Sequence, residues 1–386
     1  MFIIEKPYVS EYLIDTIINH DWAVLDNDAI EASGMEEGAF RLWESEKATN
    51  NYLMQEYPLI YSNSENAIEW VLKNLPKSNL SNYIRIFKDK LVFRDKMKEL
   101  YPNFYYKSFS YEDINYIDKN EFKFPLVIKP AVGFLSCGVH VIKNAKDWDD
   151  EIKKLHKEMS GIGNSFMTSV VDTSTFIAEE YIEGEEYAVD AYYDRNGTPV
   201  ILNIFKHLFS DESDVRDRLY ITSAPILIKN MAKFAQVLRE LGRVTGVRNF
   251  PLHMEVRITS EGEIIPIEVN PMRFAGWCTT DIAHYAWGIN VYECFNAQTY
   301  PDWNLILENA SKDIYYFAML EVPSNYPKSS IRSFDFNACL SGLSNVLELR
   351  HVNYRENPLF GIVFGKTTDE SELQRILALD MNKYIQ

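Results

Sequence analysis

The chain has 386 residues, 39 of them basic and 56 acidic, for a formal charge of -17 at neutral pH. That length suits several subdomains around a shared cleft, and 46% hydrophobic with 14% aromatic residues describe a globular chain that folds without staples. The acidic balance repels polyphosphate backbones at long range and so argues against a nucleic-acid partner, while a small nucleotide held by a few local cations stays open. No stretch approaches the roughly 18 uninterrupted apolar residues of a membrane span, so no membrane partner is expected. Glu5 and Lys6 break the short apolar start, which has no basic region before it and no cleavage site after it. Cys137, Cys278, Cys294 and Cys339 form no C-x-x-C pair and read as free thiols, which with the other features predicts a cytoplasmic protein.

In chain order, residues 2–4, 22–25 and 58–61 are short apolar strand candidates, and residues 12–18 and 65–75 carry helical spacing. In the second helix Ala67, Ile68, Val71, Leu72 and Leu75 form one stripe between Ser64 as N-cap and Pro76 as stop. A further helix is predicted over 88–100. From Pro125 the texture turns β-rich, with strands at 126–128 and 139–142 around a turn-prone loop, a helix over 148–157 and a flexible break from Gly161 to Asn164. Strands at 176–178 and 187–193 enclose an acidic turn, and Asp194-Arg195-Asn196-Gly197 is a hairpin turn into a strand at 199–204. Residues 206–220 read as a polar loop and 229–241 as a helix. Beyond Pro301 an α+β tail carries strands at 314–322 and 359–364 and a final helix from Ser371.

Between that helix and the tail lies a hairpin. Period two puts His253, Glu255 and Arg257 on one face of its first strand, with Met254, Val256 and Ile258 on the other. In the second strand Glu268 and Asn270 share a face opposite Ile265, Ile267 and Val269. With Glu261 and Gly262 as the central pair of a tight turn, Gly262 at positive φ, Glu255 faces Glu268 and His253 faces Asn270. Two carboxylates across a strand pair repel and need a cation once buried. Three hard oxygen ligands would hold a divalent metal; a solvated sheet face is the competing placement.

Upstream, Phe124-Pro125-Leu126-Val127-Ile128-Lys129-Pro130 delivers a lysine beside the loop from Ala131 to Gly138, which contains Ser136 and offers backbone N–H groups to phosphate. The Gly133 to Gly138 spacing lacks the Lys-Ser or Lys-Thr of a Walker loop, and no strand-linked G-x-G-x-x-G occurs. Residues 178–187, Ala-Glu-Glu-Tyr-Ile-Glu-Gly-Glu-Glu-Tyr, set acids beside apolar Phe176, Ile177 and Ile182, as a slot for a base with an acid for a ribose hydroxyl would.

In this order the three elements resemble the ATP-grasp superfamily, and specifically its carboxylate-amine ligases, over roughly residues 88–276. The resemblance implies a multidomain α/β and α+β fold: an N-terminal Rossmann-like α/β lobe at 1–90, a lid subdomain at 91–182, a large metal-bearing subdomain at 183–300 and a small C-terminal α+β subdomain at 301–386. It implies that Lys129 and the earlier Lys90 contact phosphates with Ser136 in the loop above them, that Glu179 and the backbone of Glu180 and Ile182 meet adenine, and that Glu186 meets the ribose. Glu255, Glu268 and Asn270 would bind one or two Mg2+ ions, Mn2+ being the alternative, with Glu268 as the bridge. Arg273 would stabilise the transferred phosphate, although Met272 is inserted where the family commonly has Arg directly after Asn-Pro. The substrates implied are a small carboxylate and an amine, selected by the 206–220 loop with Lys206, His207, Arg216 and Arg218, together with Arg248, His253 and Arg257. A kinase-like transfer to a hydroxyl and a non-catalytic nucleotide binder are the competing functions, and the tail from Pro301, which resembles the closing subdomain of some amino-acid ligases, reads equally as a packing or homodimer surface.

Overall fold

The computed structural model describes residues 1–32, 38–133, 138–162, 172–210, 216–323 and 326–386. Four short parallel strands open the chain, in the order Arg41–Trp43, Ala23–Leu25, Phe2–Ile3, Tyr61–Ser62. Helix Glu11–Asn19 begins at Ser10, whose hydroxyl accepts the Leu13 N–H, and buries Leu13 and Ile17. Arg41–Trp43 had no alternation to announce it, because it is three residues long and largely exposed.

The helix predicted over 88–100 is two helices, Asn79–Lys88 and Lys90–Met97. They meet at Asp89, whose carboxylate caps the second by accepting the Leu91 and Val92 N–H groups at 2.9 and 3.2 Å. The break has a consequence for Lys88 and Lys90. In one continuous helix residues two apart point to opposite sides; here both lysines are buried, one on Glu65 and the other beside Glu268.

A second sheet, all antiparallel, runs Tyr106–Ser110, Asp172–Glu180, Leu126–Val132, His140–Ile142. Helix Trp148–Ile162 covers it through Trp148, Ile152 and Leu155, which pack with Ile114, Phe122, Leu126, Ile128 and Phe176. The Lys129 strand continues to Val132, so Lys129 stands within it rather than at its end. Of the flexible break read from 161 to 164, Gly161 and Ile162 still belong to the helix, and the other two residues lie outside the described residues.

The third sheet has eight strands in the order Ile264–Pro271, Phe250–Ile258, Glu185–Tyr193, Pro199–Leu208, Leu219–Thr222, Ile314–Glu321, Leu359–Thr367, Val346–His351. Helix Ala224–Thr245 packs on it through Leu227, Phe234, Leu238 and Leu241 and ends at left-handed Gly246. Much of the 206–220 segment read as a loop is strand: Lys206 pairs with Ile221 and His207 with Tyr220, while residues 211–215 lie outside the described residues. The C-terminal strands join through Leu219–Thr222, so residues 185–367 share one sheet.

The Glu255 hairpin differs from expectation in two places that cancel. Its turn has three residues, Ser260-Glu261-Gly262, because Thr259 and Glu263 pair across it; Gly262 takes φ 84°. The extra turn residue would slip the register by one. A bulge restores it: Val256 faces Pro266 while Glu255 faces Glu268, leaving Ile267 unpaired between them. The bulge also re-aims Ile267, expected on the core face, into the cleft beside Glu268. No helix among the described residues is long and apolar enough to cross a membrane.

Candidate functional site

Three adjacent strands pave the floor of a cleft. Arg257 lies opposite Glu186, Glu255 opposite Ala188 and His253 opposite Asp190, while Glu268 and Asn270 follow on the other side of the middle strand. Arg257 Nε and Nη2 contact Glu186 Oε2 at 3.0 and 2.9 Å, and Arg257 Nη1 donates to the Ile182 carbonyl at 2.7 Å. Glu186 also meets His207 Nδ1 at 2.8 Å. The Asp190 carboxylate, fully buried, accepts from His253 Nδ1 at 2.7 Å and from the Ala275 N–H at 2.8 Å. That bond turns His253 Nε2 toward Glu255, 4.0 Å away.

The roof comes from the second sheet. Lys129 and Glu179 form a buried ion pair, each under 5% exposed. Arg94, from the Lys90 helix, completes it: Nε donates to Glu179 at 2.8 Å, and Nη1 and Nη2 donate to the carbonyls of Pro266 and Ile267 at 2.7 and 3.3 Å. These are carbonyls at the hairpin bulge, so one guanidinium joins the two sheets. Despite burial, Arg94 and Lys129 hold the Glu179 carboxyl down at about 2. Its carboxylate is thereby committed to cations rather than presented to the slot. The slot itself is lined by Val127, Val141, Ile267 and the segment from Glu180 to Ile182, a hinge between the strands Asp172–Glu180 and Glu185–Tyr193 of the two sheets.

A third ion cluster ties in the N-terminal lobe. Glu65 pairs with Lys88, which also donates to the Gly133 carbonyl at 2.9 Å, and Glu65 Oε1 accepts from Arg273 Nε and Nη2 at 3.1 and 2.9 Å. Although burial opposes ionisation, Lys88 and Arg273 hold Glu65 at about 2.

The paired glutamates are not equivalent. Lys90 Nζ lies 3.2 Å from Glu268 Oε2, and Lys90, Lys129 and Lys88 outweigh burial to keep the Glu268 carboxyl below its usual range. Burial raises Glu255 well above the usual range, and Glu268, Asp217 and Glu186 push the same way. Asn270 Nδ2 donates to Glu255 Oε1 at 3.2 Å. An acid held this high beside three other acids is a site short of positive charge, and Glu255, Glu268 and the Asn270 amide oxygen are the hard donors that a divalent cation takes.

A second cavity, of about 760 Å³, continues from the first. Asp217, Glu255 and Arg273 line both. Arg216, Arg218, His253, Trp277 and Thr279 line the second together with Pro358, Leu359, Leu379 and Met381, and Arg218 Nη2 donates to the Leu379 carbonyl at 3.1 Å.

The residues singled out in the sequence therefore divide. Lys90, Lys129, Glu179, Glu180, Ile182, Glu186, His207, Glu255, Arg257, Glu268, Asn270 and Arg273 gather around the first cavity, and Arg216, Arg218 and His253 around the second. Lys206 is paired with Glu185 and lines neither, and Arg248 lines a separate depression with Tyr52, Tyr57 and Arg195. Ser136 lies outside the described residues. Sequence reasoning missed Arg94, Glu65, Lys88 and Asp190, and placed Asp217 in the 206–220 segment without giving it a role of its own. Arg94 left a signal, standing four residues from Lys90 on one helical face; the partners of Glu65 are too distant in sequence to leave any.

Comparison with known proteins matches residues 122–281 to the family described as an ATP-grasp domain. An alanine–anticapsin ligase of Bacillus amyloliquefaciens is 25% identical over 165 residues, 40% of this chain and 34% of that ligase. The match thus spans about a third of the curated relative's length. Among solved structures, an L-amino acid ligase from Bacillus licheniformis superposes with a TM-score of 0.68 at 14% identity, covering 100% of this chain and 97% of the other. A biotin carboxylase from Campylobacter jejuni, in a beta-gamma-ATP complex, gives 0.62 at 12% identity, covering 100% and 91%. At these identities the structures share the fold.

Proposed function

We propose that this chain, which carries an ATP-grasp domain, is an ADP-forming ligase that joins a small carboxylate to an amine. The observation that carries the reading is the meeting of two cavities at Glu255, Arg273 and Asp217: one with lysines, hinge backbone and an apolar slot, the other roomy and of mixed polarity.

In this reading the slot beside Glu180 and Ile182 takes the adenine, Glu186 the ribose, and Lys90 and Lys129 the phosphates. Glu179 and Arg94 orient Lys129 by fixing its ammonium in the roof. Glu255, Glu268 and Asn270 would hold one or two Mg2+ ions, and Mn2+ suits the same oxygens. Bound there, a metal would neutralise charge on the transferring phosphoryl group. The substrate carboxylate attacks the γ-phosphorus and ADP leaves; the amine then attacks the acyl carbon of the acyl phosphate, giving amide, phosphate and a proton. Arg273, released from Glu65, would stabilise the charge on phosphate and on the tetrahedral adduct. Enclosure between roof and floor keeps water from the acyl phosphate. The free Cys278, Cys294 and Cys339 fit a reducing compartment, and we place the enzyme in the cytoplasm.

The test is phosphate release from MgATP in the presence of amino acids and small carboxylates, singly and in pairs. ADP and free phosphate should appear only when an acid and an amine are both present. ADP formed with a phosphorylated hydroxyl product and no free phosphate would overturn ligation in favour of a kinase.

A further inference from the structure

The turn Gly276–Asp281 forms part of the wall of the second cavity through Gly276, Trp277 and Thr279. Its backbone is strained, because Trp277 and Cys278 are both left-handed, with φ 57° and 55°. Non-glycine residues hold that conformation only where their surroundings over-determine it. The turn also lies beside the proposed chemistry: a Cβ built on Gly276 would stand 3.6 Å from Arg273 Nη1, so a single methyl group would bring the turn into contact with that guanidinium.

What holds the turn comes from the far end of the chain. Arg350, in the edge strand Val346–His351, is 3% exposed. Its Nη1 donates to the Cys278 carbonyl at 2.8 Å and its Nη2 to Asp281 Oδ2 at 2.8 Å, gripping the middle and the end of the turn with one planar fork. The same Nη2 meets Glu348 Oε2 at 2.8 Å, and the guanidinium stands 4.2 Å over the Phe364 ring. Tyr292 donates its hydroxyl to the other Asp281 oxygen at 2.5 Å. Arg350 itself lines neither cavity.

We propose that Arg350 is a positioning residue: it holds the Gly276–Asp281 turn in its strained form and so sets the wall of the second cavity, the acceptor cavity of the ligase reading, beside Arg273. This rests on the ligase reading for its consequence in turnover, but not for its structural part. The C-terminal strands would then shape the acceptor cavity while taking no part in nucleotide binding.

Two variants test it. Arg350→Lys keeps the charge but cannot reach both the Cys278 carbonyl and Asp281; the double variant Arg350→Met with Asp281→Asn removes both charges and so avoids a lone buried ion. Hydrogen exchange of the amides at 277–279 should be faster in both variants, and protection equal to wild type overturns the proposal. Turnover is read with MgATP and an equimolar pool of the twenty common L-amino acids. The half-saturating concentration of the pool should rise about tenfold or more, with that of ATP unchanged, since small misplacements at a site carry large penalties. If the melting temperature falls and both half-saturation values move together, Arg350 is merely structural and the proposal fails. If wild type releases no phosphate with any acid and amine, the ligase reading fails, and the exchange measurement still decides whether Arg350 holds the turn.

Discussion

Glu255 and Glu268 face each other directly across the hairpin, yet only Glu268 has a lysine, Lys90 at 3.2 Å. The pair is thus divided into one compensated carboxylate and one, Glu255, surrounded by further acids. That inequality separates the two amides by their effect on the protein without metal. Glu268→Gln should abolish turnover and weaken MgATP binding while the fold, followed by circular dichroism, stays intact. Glu255→Gln should also abolish turnover, but it should stabilise the metal-free protein by about 1 kcal/mol in urea titrations, because it removes a like charge from a crowded, half-buried site.

Arg94 is predicted to matter as much as any residue of the cleft. Arg94→Met strands Glu179 against Lys129 alone and leaves the Pro266 and Ile267 carbonyls without their donor. Losing one member of a buried ion cluster costs about 3–5 kcal/mol, which equilibrium unfolding would register. Arg94→Lys, which keeps charge without the fork, should fall between Met and wild type.

Acid should loosen the assembly in a defined window. Glu65 and Glu179 are both depressed from 4.5 to about 2 by the cations beside them. A depressed acid stabilises the folded state at pH above its unfolded value, and that contribution disappears as pH falls through the folded value. Unfolding free energy should therefore decline from about pH 4.5 towards pH 2, on the order of 3 kcal/mol for each group. Glu65→Gln should flatten its share of the slope, measured by urea unfolding across that range.

Gly184 closes the hinge at φ 152°, where a Cβ would lie 2.2 Å from the Ile258 carbonyl oxygen. Backbone cannot move aside as a flexible side chain does. Gly184→Ala should destabilise the protein by more than about 1 kcal/mol. It should also raise the half-saturating ATP concentration, because Ile182 and Glu186 flank that turn.

Local sequence carried much of the cleft floor. Alternation put His253, Glu255 and Arg257 on one face because a strand repeats every two residues whatever it packs against. Pairing Glu255 with Glu268 came out as the sequence suggested for an incomplete reason: the turn is one residue longer than expected, and a bulge at Ile267 takes up the difference. Turn length and bulge each depend on small preferences, and the Pro266 and Ile267 carbonyls are held by an arginine about 170 positions away, at Arg94.

By itself, then, the sequence determined the pairing and the faces of the cleft hairpin and the identity of its lysines and acids, because those follow from local periodicity and residue chemistry. Only the tertiary structure decided what each charge touches. Glu65 reaches Arg273 across 208 positions and Arg350 reaches Cys278 across 72. Such contacts are set by the meeting of separate sheets and leave no periodic trace in the chain. They divide Glu268 from Glu255, seat Lys129 in the roof and bring the last strands of the chain to the wall of the second cavity.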